Sequence, residues 1–115
     1  MQKETHKLLF LESNRDTFDF IKSGVKTVET RAGSPDYIKI KMGDTVELSC
    51  GSDKFTKTVK KVSVFKTLDD LLEVYSPEEI NPETLSSEEV IKLYYSFPNY
   101  RDRIEKYGML AFELE

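Results

Sequence analysis

The sequence predicts an α+β fold, in which about five to six short strands form one small mixed β-barrel with about three to four helices around it. With 115 residues, the chain is long enough for one hydrophobic core and too short for two, so residues 1–115 are expected to form a single domain. Short strand-like segments occur at both ends and in the middle, and amphipathic helical segments separate them. Hydrophobic residues make up 38% of the chain and charged residues 33%, which suits a packed interior beneath a solvated surface.

The first part of the chain predicts a strand, a helix and a second strand. Segment His6–Leu11 is apolar and too short for a helix, so it is expected to be a buried strand. A short helix is predicted from a capping position at Ser13 to a stop at Gly24. Segment Lys26–Arg31 is rich in Thr and Val, which favours a second strand.

The middle of the chain predicts further strands. Segment Lys41–Asp44 is a turn, and Val46–Leu48 alternates in polarity as a half-buried strand does. Segment Phe55–Phe65 is long enough for one long strand or a strand pair. We expect these central strands to form an antiparallel meander.

The second half is predominantly helical until its last segment. Apolar residues at helical spacing predict a helix over Leu68–Tyr75, and the Pro- and Glu-containing segment Ser76–Glu83 is expected to be a linker. A second helix is predicted from a cap at Ser86 to Phe97, and a third from about Asn99 to Gly108. Segment Met109–Leu114 is expected to be a closing strand that pairs with the first or second strand and shuts the barrel.

Composition excludes several classes of protein. With one cysteine, Cys50, and one histidine, His6, the chain cannot form an internal disulfide or a Cys/His zinc site, and we predict no metal and no cofactor. We expect Cys50 to be a small packing residue and His6 to occupy a frayed surface position. No apolar run reaches the roughly 20 residues of a membrane span, so a cytoplasmic protein is expected. The net charge of -4 disfavours indiscriminate binding to nucleic acid.

The second predicted strand carries the polar side chains of greatest interest. Because successive side chains of a strand alternate between faces, Thr27, Glu29 and Arg31 point one way and Val28 points into the core. Lys26 has the opposite parity, but its long stem can swing toward the same side. A carboxylate between two cations can bind a phosphate or the edge of a base. The alternative is a surface ion-pair ladder with little energetic weight.

Two further groups are candidates for a binding surface. The lysines between Lys54 and Lys66 can form a stripe that faces phosphates, although such lysines more often form the solvated face of a strand. Among the C-terminal aromatic residues, helical spacing assigns Tyr94 and Phe97 to the core. Tyr95 falls off that face and can reach a cleft, and Tyr107, beside the closing strand, is the preferred residue for stacking on a base.

Three segments together resemble a known family. Segment Gly24–Arg31 has the pattern Gly-x-Lys-x-x-Glu-x-Arg and follows a short helix, Lys41–Asp44 ends in a Gly-Asp turn before a strand, and Tyr107–Ala111 has the form Tyr-Gly-hydrophobic. This combination, in this order, resembles the ASCH family of the PUA-like superfamily. The resemblance extends over nearly the whole chain.

The resemblance implies a PUA-like β-barrel with a cleft lined by Lys26, Glu29 and Arg31, and binding of RNA or of a nucleotide or nucleoside. Some ASCH-like proteins hydrolyse the acetyl amide of N4-acetylcytidine through a Lys-x-x-Thr arrangement whose Thr is the nucleophile. Here Glu29 stands at the place of that Thr, and neither Thr27 nor Thr30 has the right spacing. The sequence therefore predicts an RNA- or nucleotide-binding domain. The alternatives are a small amidohydrolase that uses Lys26 and Glu29, and a protein-interaction module.

Overall fold

The computed structural model describes residues 4–83 and 86–115. The strands of this part of the chain are β1 Thr5–Phe10, β2 Val28–Ala32, β3 Thr45–Cys50, β4 Asp53–Phe65 and β5 Met109–Leu114. The α-helices are α1 Arg15–Ser23, α2 Leu68–Val74, α3 Pro77–Ile80, α4 Ser87–Ser96 and α5 Tyr100–Tyr107.

The strands form a single mixed sheet in the order β1-β3-β4-β5-β2, which curls into a half-barrel. Strand β1 lies parallel to β3, and the other neighbouring pairs are antiparallel. The predicted α+β barrel-like class is thus confirmed. The predicted antiparallel meander of the central strands is reduced to the β3–β4 hairpin, because Phe55–Phe65 belongs to one long strand and not to a strand pair.

Two hydrophobic clusters hold the sheet and helices together. One fills the inside of the curl and includes Phe18 of α1, Leu48 of β3 and Phe112 of β5. The other lies between the sheet and the C-terminal helices and includes Val28 of β2 and Leu71 of α2. Val28 is therefore a core residue, as its position in the strand predicts. Strand β2 contributes Val28 and Ala32 to the second cluster, and all five of its residues are buried.

The closing strand does not shut the barrel. Strand β5 pairs with β2, as one of the two predicted alternatives requires, but β1 and β2 remain the two edges of the sheet. We call the gap between these two edge strands the seam. The described strands β1 and β2 share no backbone hydrogen bonds there, but the Arg31 guanidinium on β2 donates to the carbonyl oxygen of Leu9 on β1 at 3.0 Å. The open edge of the barrel is thereby bridged by a charged group.

Three predicted features of the chain need correction. Segment Ser76–Glu83 is not only a linker, because Ser76 and Glu79 form a capping box that starts the single-turn helix α3. With α3, the described residues contain five α-helices, more than the three to four predicted. The second strand begins at Val28 rather than at Lys26.

His6 is not at a frayed surface position. Its Nε2 lies 2.9 Å from Oδ2 of Asp44, and the same carboxylate oxygen accepts a hydrogen bond from the Lys41 backbone N–H at 3.0 Å. The hydrogen bond from His6 holds the pKa of Asp44 below its ordinary value. His6 therefore ties β1 to the Gly-Asp turn, a contact between residues that are 38 positions apart and that no local pattern reveals.

Cys50 is buried in the inner cluster, as predicted, and burial raises the pKa of its thiol. Within residues 4–83 and 86–115, no helix has the length and apolar character that a membrane crossing requires.

Candidate functional site

A cavity of about 420 Å³ opens beside the seam between β1 and β2. Its walls come from five places: the end of β1, the start of α1, strand β2, the segment after α3, and the corner between α4 and α5. Because its walls belong to segments far apart in sequence, the cavity is a product of the tertiary fold. Its volume lies in the range of sites for small molecules and cofactors, which is roughly 300–1,000 Å³.

The floor of the cavity carries an ion cluster of Lys26, Glu29 and Arg31. Oε2 of Glu29 lies 3.0 Å from Nε of Arg31, and Oε1 lies 3.9 Å from Nζ of Lys26. The exposed fractions of these side chains are 1% for Lys26, 6% for Glu29 and 10% for Arg31. Two buried cations and one buried carboxylate leave a net charge of one positive unit at the floor.

Arg31 is held from several sides. Besides Glu29, its guanidinium donates to the hydroxyl of Tyr37 at 2.8 Å and to the carbonyl of Leu9 at 3.0 Å. The group also lies over the rings of Phe10 and Tyr37, at 4.7 and 5.4 Å from their centroids. Burial acts to lower the pKa of Arg31, but the Glu29 carboxylate and Tyr37 raise it above its ordinary value, so the group stays charged.

Lys26 reaches the cluster from the turn that precedes β2. Gly24 ends α1 with a left-handed backbone conformation, at φ 86°. The chain turns there, and Lys26 lines the same cavity as Glu29 and Arg31. The Lys26 ammonium donates to the carbonyl oxygen of Ile80 at the end of α3. Burial lowers its pKa to about 8, although the nearby Glu29 carboxylate acts in the opposite direction.

Hydroxyl groups line the wall next to the cluster. The Thr30 and Tyr94 hydroxyls are hydrogen-bonded to each other, and both residues are buried. Burial raises the pKa of Tyr94 and also that of Tyr100, which lies 5.9 Å from Tyr94 between ring centroids. Both phenols therefore remain protonated at neutral pH, and the Tyr94 hydroxyl also lies within hydrogen-bonding distance of the Thr30 carbonyl oxygen, at 3.5 Å.

The structure brings together three of the six residues that the sequence selected. Lys26, Glu29 and Arg31 converge on a concave surface, so the alternative of a surface ion-pair ladder is wrong. Thr27 has the parity of Glu29 but precedes β2, and its side chain is exposed outside the cavity lining.

The two tyrosines selected for stacking also lie outside the cavity lining. Tyr95 is 37% exposed, and the Arg101 guanidinium lies 4.0 Å from its ring centroid. Tyr107 is half-buried with the Lys106 ammonium 5.4 Å from its ring centroid, and it packs so closely on Gly33 that a Cβ there would meet Tyr107 Cβ at 2.5 Å. Each ring thus has a cation of the chain next to it, and neither ring lines the cavity.

Sequence patterns missed several wall residues. Tyr94 has the helical spacing of a core residue, which it is, but its hydroxyl also reaches Thr30. Tyr37, which contacts Arg31 from outside the cavity lining, begins the short 3-10 helix Tyr37–Lys39, where no periodicity indicates this contact. Phe10, from β1, is brought to Arg31 only by the curl of the sheet.

The lysines from Lys54 to Lys66 do not line the cavity. Lys54 lies 3.9 Å from Glu47 on the neighbouring strand, and Lys60 and Lys61 are exposed at the irregularity in the pairing of β4 with β5. Contact of this stripe with a ligand remains a prediction.

One group in the described part of the chain has the ligand atoms of a metal site. Atoms of Glu4, His6 and Asp44 lie within 4.8 Å of one another, away from the cavity. Since the Asp44 carboxylate already accepts from His6 and from two backbone N–H groups, hydrogen bonding accounts for this arrangement.

Comparison with known proteins gives structural likeness without a named activity. No family model matches the chain, and no curated protein matches it. The chain is similar to the crystal structure of the hypothetical protein PH0355, with 29% identity over 96% of this chain and 97% of that chain and a TM-score of 0.83. It is also similar to the solution NMR structure of protein PF0455 from Pyrococcus furiosus, with 26% identity over 99% and 96% of the chains and a TM-score of 0.73.

Proposed function

We propose that the chain is an ASCH-type domain that binds a nucleobase-bearing ligand, either within RNA or as a free nucleotide or nucleoside, in the cavity beside the β1–β2 seam. The observation that carries the proposal is the convergence of the Lys26, Glu29 and Arg31 side chains on the floor of a 420 Å³ cavity. A cytoplasmic location is part of the same proposal.

The chemistry of the walls supports a planar ligand rich in hydrogen-bonding groups. The cationic groups of the floor suit the exocyclic carbonyl oxygens and the ring nitrogens of a base, which accept hydrogen bonds, and a carboxylate suits an amino group. Aromatic and aliphatic residues, among them Phe10, Leu93 and Phe97, supply the apolar surface that a base needs. Pockets of this kind combine much apolar lining with a few polar groups that fix orientation.

The contacts of Glu29 favour binding over hydrolysis. Its Oε1 accepts a hydrogen bond from the Thr30 backbone N–H at 3.2 Å, and its Oε2 accepts one from Nε of Arg31 at 3.0 Å. A general base needs a free lone pair within reach of the water that it activates. Each oxygen of Glu29 accepts from a donor that fixes the orientation of the carboxylate and keeps a second lone pair for the amino group of a ligand, which is the arrangement of a recognition group.

A cavity-filling variant tests the proposal without disturbing the ion cluster. Leu93 is a half-buried wall residue, and Leu93→Trp is expected to fill the cavity and to weaken binding of nucleosides, nucleotides and short single-stranded RNA by at least about tenfold. Isothermal titration calorimetry measures the dissociation constants. The matched control is Leu72→Trp, a half-buried leucine on α2 that is not part of the cavity lining.

Two results would overturn the proposal: no binding of any of these ligands to the wild-type protein, or equal binding by the wild-type protein and Leu93→Trp. The hydrolase alternative is tested in parallel by incubating the wild-type protein in excess over N4-acetylcytidine. Release of acetate that disappears in Glu29→Gln, with affinity for the nucleoside retained, would establish the enzyme instead.

A further inference from the structure

The cavity is electrically bipolar. Its floor carries one net positive charge, from Lys26, Glu29 and Arg31, and the other charged residues of its lining are the carboxylates Asp16 and Glu83. Both of these acidic residues are exposed, whereas the three floor residues are buried. A ligand therefore meets two negative charges at the mouth before it reaches the positive charge below.

The two rim carboxylates come from separate elements. Asp16 lies in the first turn of α1, and Glu83 lies in the segment after α3. Within residues 4–83 and 86–115, neither side chain forms an ion pair. Their charges are thus not neutralised by a cation of the described chain.

Among the described residues, the rest of the mouth carries no cation: its polar lining residues, Ser13, Asn14, Thr17 and Asn81, are uncharged, and two of its residues are exposed leucines. Leu9 and Leu11 line the cavity and are 71% and 72% exposed, although both are large hydrophobic residues. The two leucines offer a surface to the ring of a base or a sugar, and the rim offers no cation to a phosphate. A site that follows a phosphate backbone would instead carry cations at this position.

From this polarity we infer that the rim excludes phosphate, so that the ligand is a free nucleoside or base with a neutral or cationic outer end rather than a nucleotide or RNA. The inference rests on the proposed function and narrows its ligand class. A terminal phosphate carries between about -1.5 and -2 charges at neutral pH and an RNA phosphodiester carries one, and the rim carboxylates repel such charges over a Debye length of about 8 Å. Specificity by repulsion of this kind is a common device of binding sites.

One base in three forms tests the inference. We compare a nucleoside, its 5′-monophosphate and its 5′-amino-5′-deoxy analogue, whose outer ends are neutral, anionic and cationic. At low ionic strength the wild-type protein is expected to bind the amino form most tightly and the monophosphate most weakly, with the monophosphate roughly tenfold weaker than the nucleoside. Raising the salt concentration is expected to reduce the differences in affinity among the three forms, because salt screens the rim charges.

The variant Asp16→Asn/Glu83→Gln removes the two rim charges. Relative to its own affinity for the nucleoside, it is expected to bind the monophosphate about tenfold more tightly than the wild-type protein does, and to bind the amino form more weakly. The control variant Asp19→Asn/Glu88→Gln removes two exposed carboxylates on α1 and α4 that do not line the cavity, and so separates the rim from the overall charge of the protein.

Some outcomes overturn this inference alone. If the wild-type protein binds the monophosphate or single-stranded RNA at least as tightly as the nucleoside, and Leu93→Trp abolishes that binding, the proposed function stands and the inference fails. It also fails if the rim and control variants change the three affinities alike. If none of the three forms binds, both the proposed function and this inference are wrong.

Discussion

Arg15 and Arg31 each form a cluster of ion pairs with carboxylates, and the Arg15 cluster, with Glu12 and Asp53, is exposed whereas the Arg31 cluster is buried. Arg15 contacts Glu12 and Asp53, each at 2.8 Å, with exposed fractions of 32% for the arginine and 66% and 54% for the acids. Arg31 contacts Glu29 at 3.0 Å with only 10% and 6% exposed. Each arginine also donates to a backbone carbonyl of a strand. The same chemical contacts thus occur once in water and once in the protein interior.

The two clusters differ in the hydration free energy that their charged groups lose on folding. Exposed ion pairs contribute little to the free energy of unfolding and are screened by salt. The Arg15 cluster therefore links α1 to the β3–β4 hairpin with little loss of hydration. Buried charges lose their hydration, and apolar residues of the same shape often stabilise a protein as well or better. The Arg31 cluster, with Lys26 as a second buried cation, is therefore poorly explained by stability alone. Its position at the floor of a cavity supplies the other explanation, which is binding.

The largest expected effect comes from removing the negative charge of the buried cluster. In Glu29→Gln, Lys26 and Arg31 become two buried cations without a counter-charge. We expect the free energy of unfolding to fall by about 3–5 kcal/mol, as measured by urea denaturation. A loss below about 1 kcal/mol would show that the cluster is better hydrated than its burial indicates, and the contrast with the Arg15 cluster would disappear.

The next effect is a pH dependence that belongs to Lys26. Burial lowers the pKa of Lys26 from 10.5 to about 8 in the folded protein. Between these values the unfolded chain binds more protons, so stability is expected to rise as the pH increases from about 8 towards about 10.5. Relative to Lys26→Met, the gain over this window is expected to be of order 3 kcal/mol, as obtained from urea denaturation at several pH values.

The comparison with Lys26→Met also removes the contribution of the buried tyrosines. Their raised pKa values act in the opposite direction above about pH 10, and they are present in both proteins. A wild-type profile parallel to that of Lys26→Met throughout this window would mean that Lys26 keeps an ordinary pKa and is not held in a dry environment.

A smaller effect is expected from the hydroxyl that positions Arg31. Tyr37→Phe removes the acceptor at 2.8 Å and retains the ring over the guanidinium. We expect a loss of about 1–2 kcal/mol in unfolding free energy. If Tyr37 positions Arg31 for a ligand, nucleoside affinity measured by calorimetry falls as well, whereas the control Tyr107→Phe leaves it unchanged. Equal behaviour of the two variants would assign Tyr37 a purely structural role.

The smallest effect is expected in the exposed cluster. Glu12→Gln leaves Arg15 paired with Asp53 and accessible to water. The urea midpoint should shift only slightly, and the shift should vanish at about 0.5 M salt. A shift as large as that of Glu29→Gln, or one that resists salt, would show that exposure does not distinguish the two clusters.

Local periodicity explains why part of the site was predictable. The alternation of a strand places Glu29 and Arg31 on one side, and the helical stop at Gly24 allows Lys26 to join them. The same rule fails for Thr27, because its parity has no meaning before the strand begins at Val28. A pattern thus assigns a face only inside the element that generates it.

The remaining walls depend on contacts across long stretches of sequence. A rotation of about 100° per residue separates Tyr94, which enters the cavity, from Tyr95, which does not, and only the packing of α4 determines which one points inward. The seam was unpredictable for another reason. Strand order and closure depend on the curl of the whole sheet, and a bridge made by the Arg31 side chain leaves no periodic signal in β1 or β2.

The place of β2 in the sheet also determines when the cavity can form during protein synthesis. In the described sheet, β2 has a single strand neighbour, β5, which the ribosome makes roughly 80 residues later. At 5–20 residues per second this interval is about 4–16 s. Until then Glu29 and Arg31 remain hydrated on an unpaired segment. A nascent chain that ends before residue 109 therefore has the β3–β4 hairpin available but has no assembled cavity to offer a ligand.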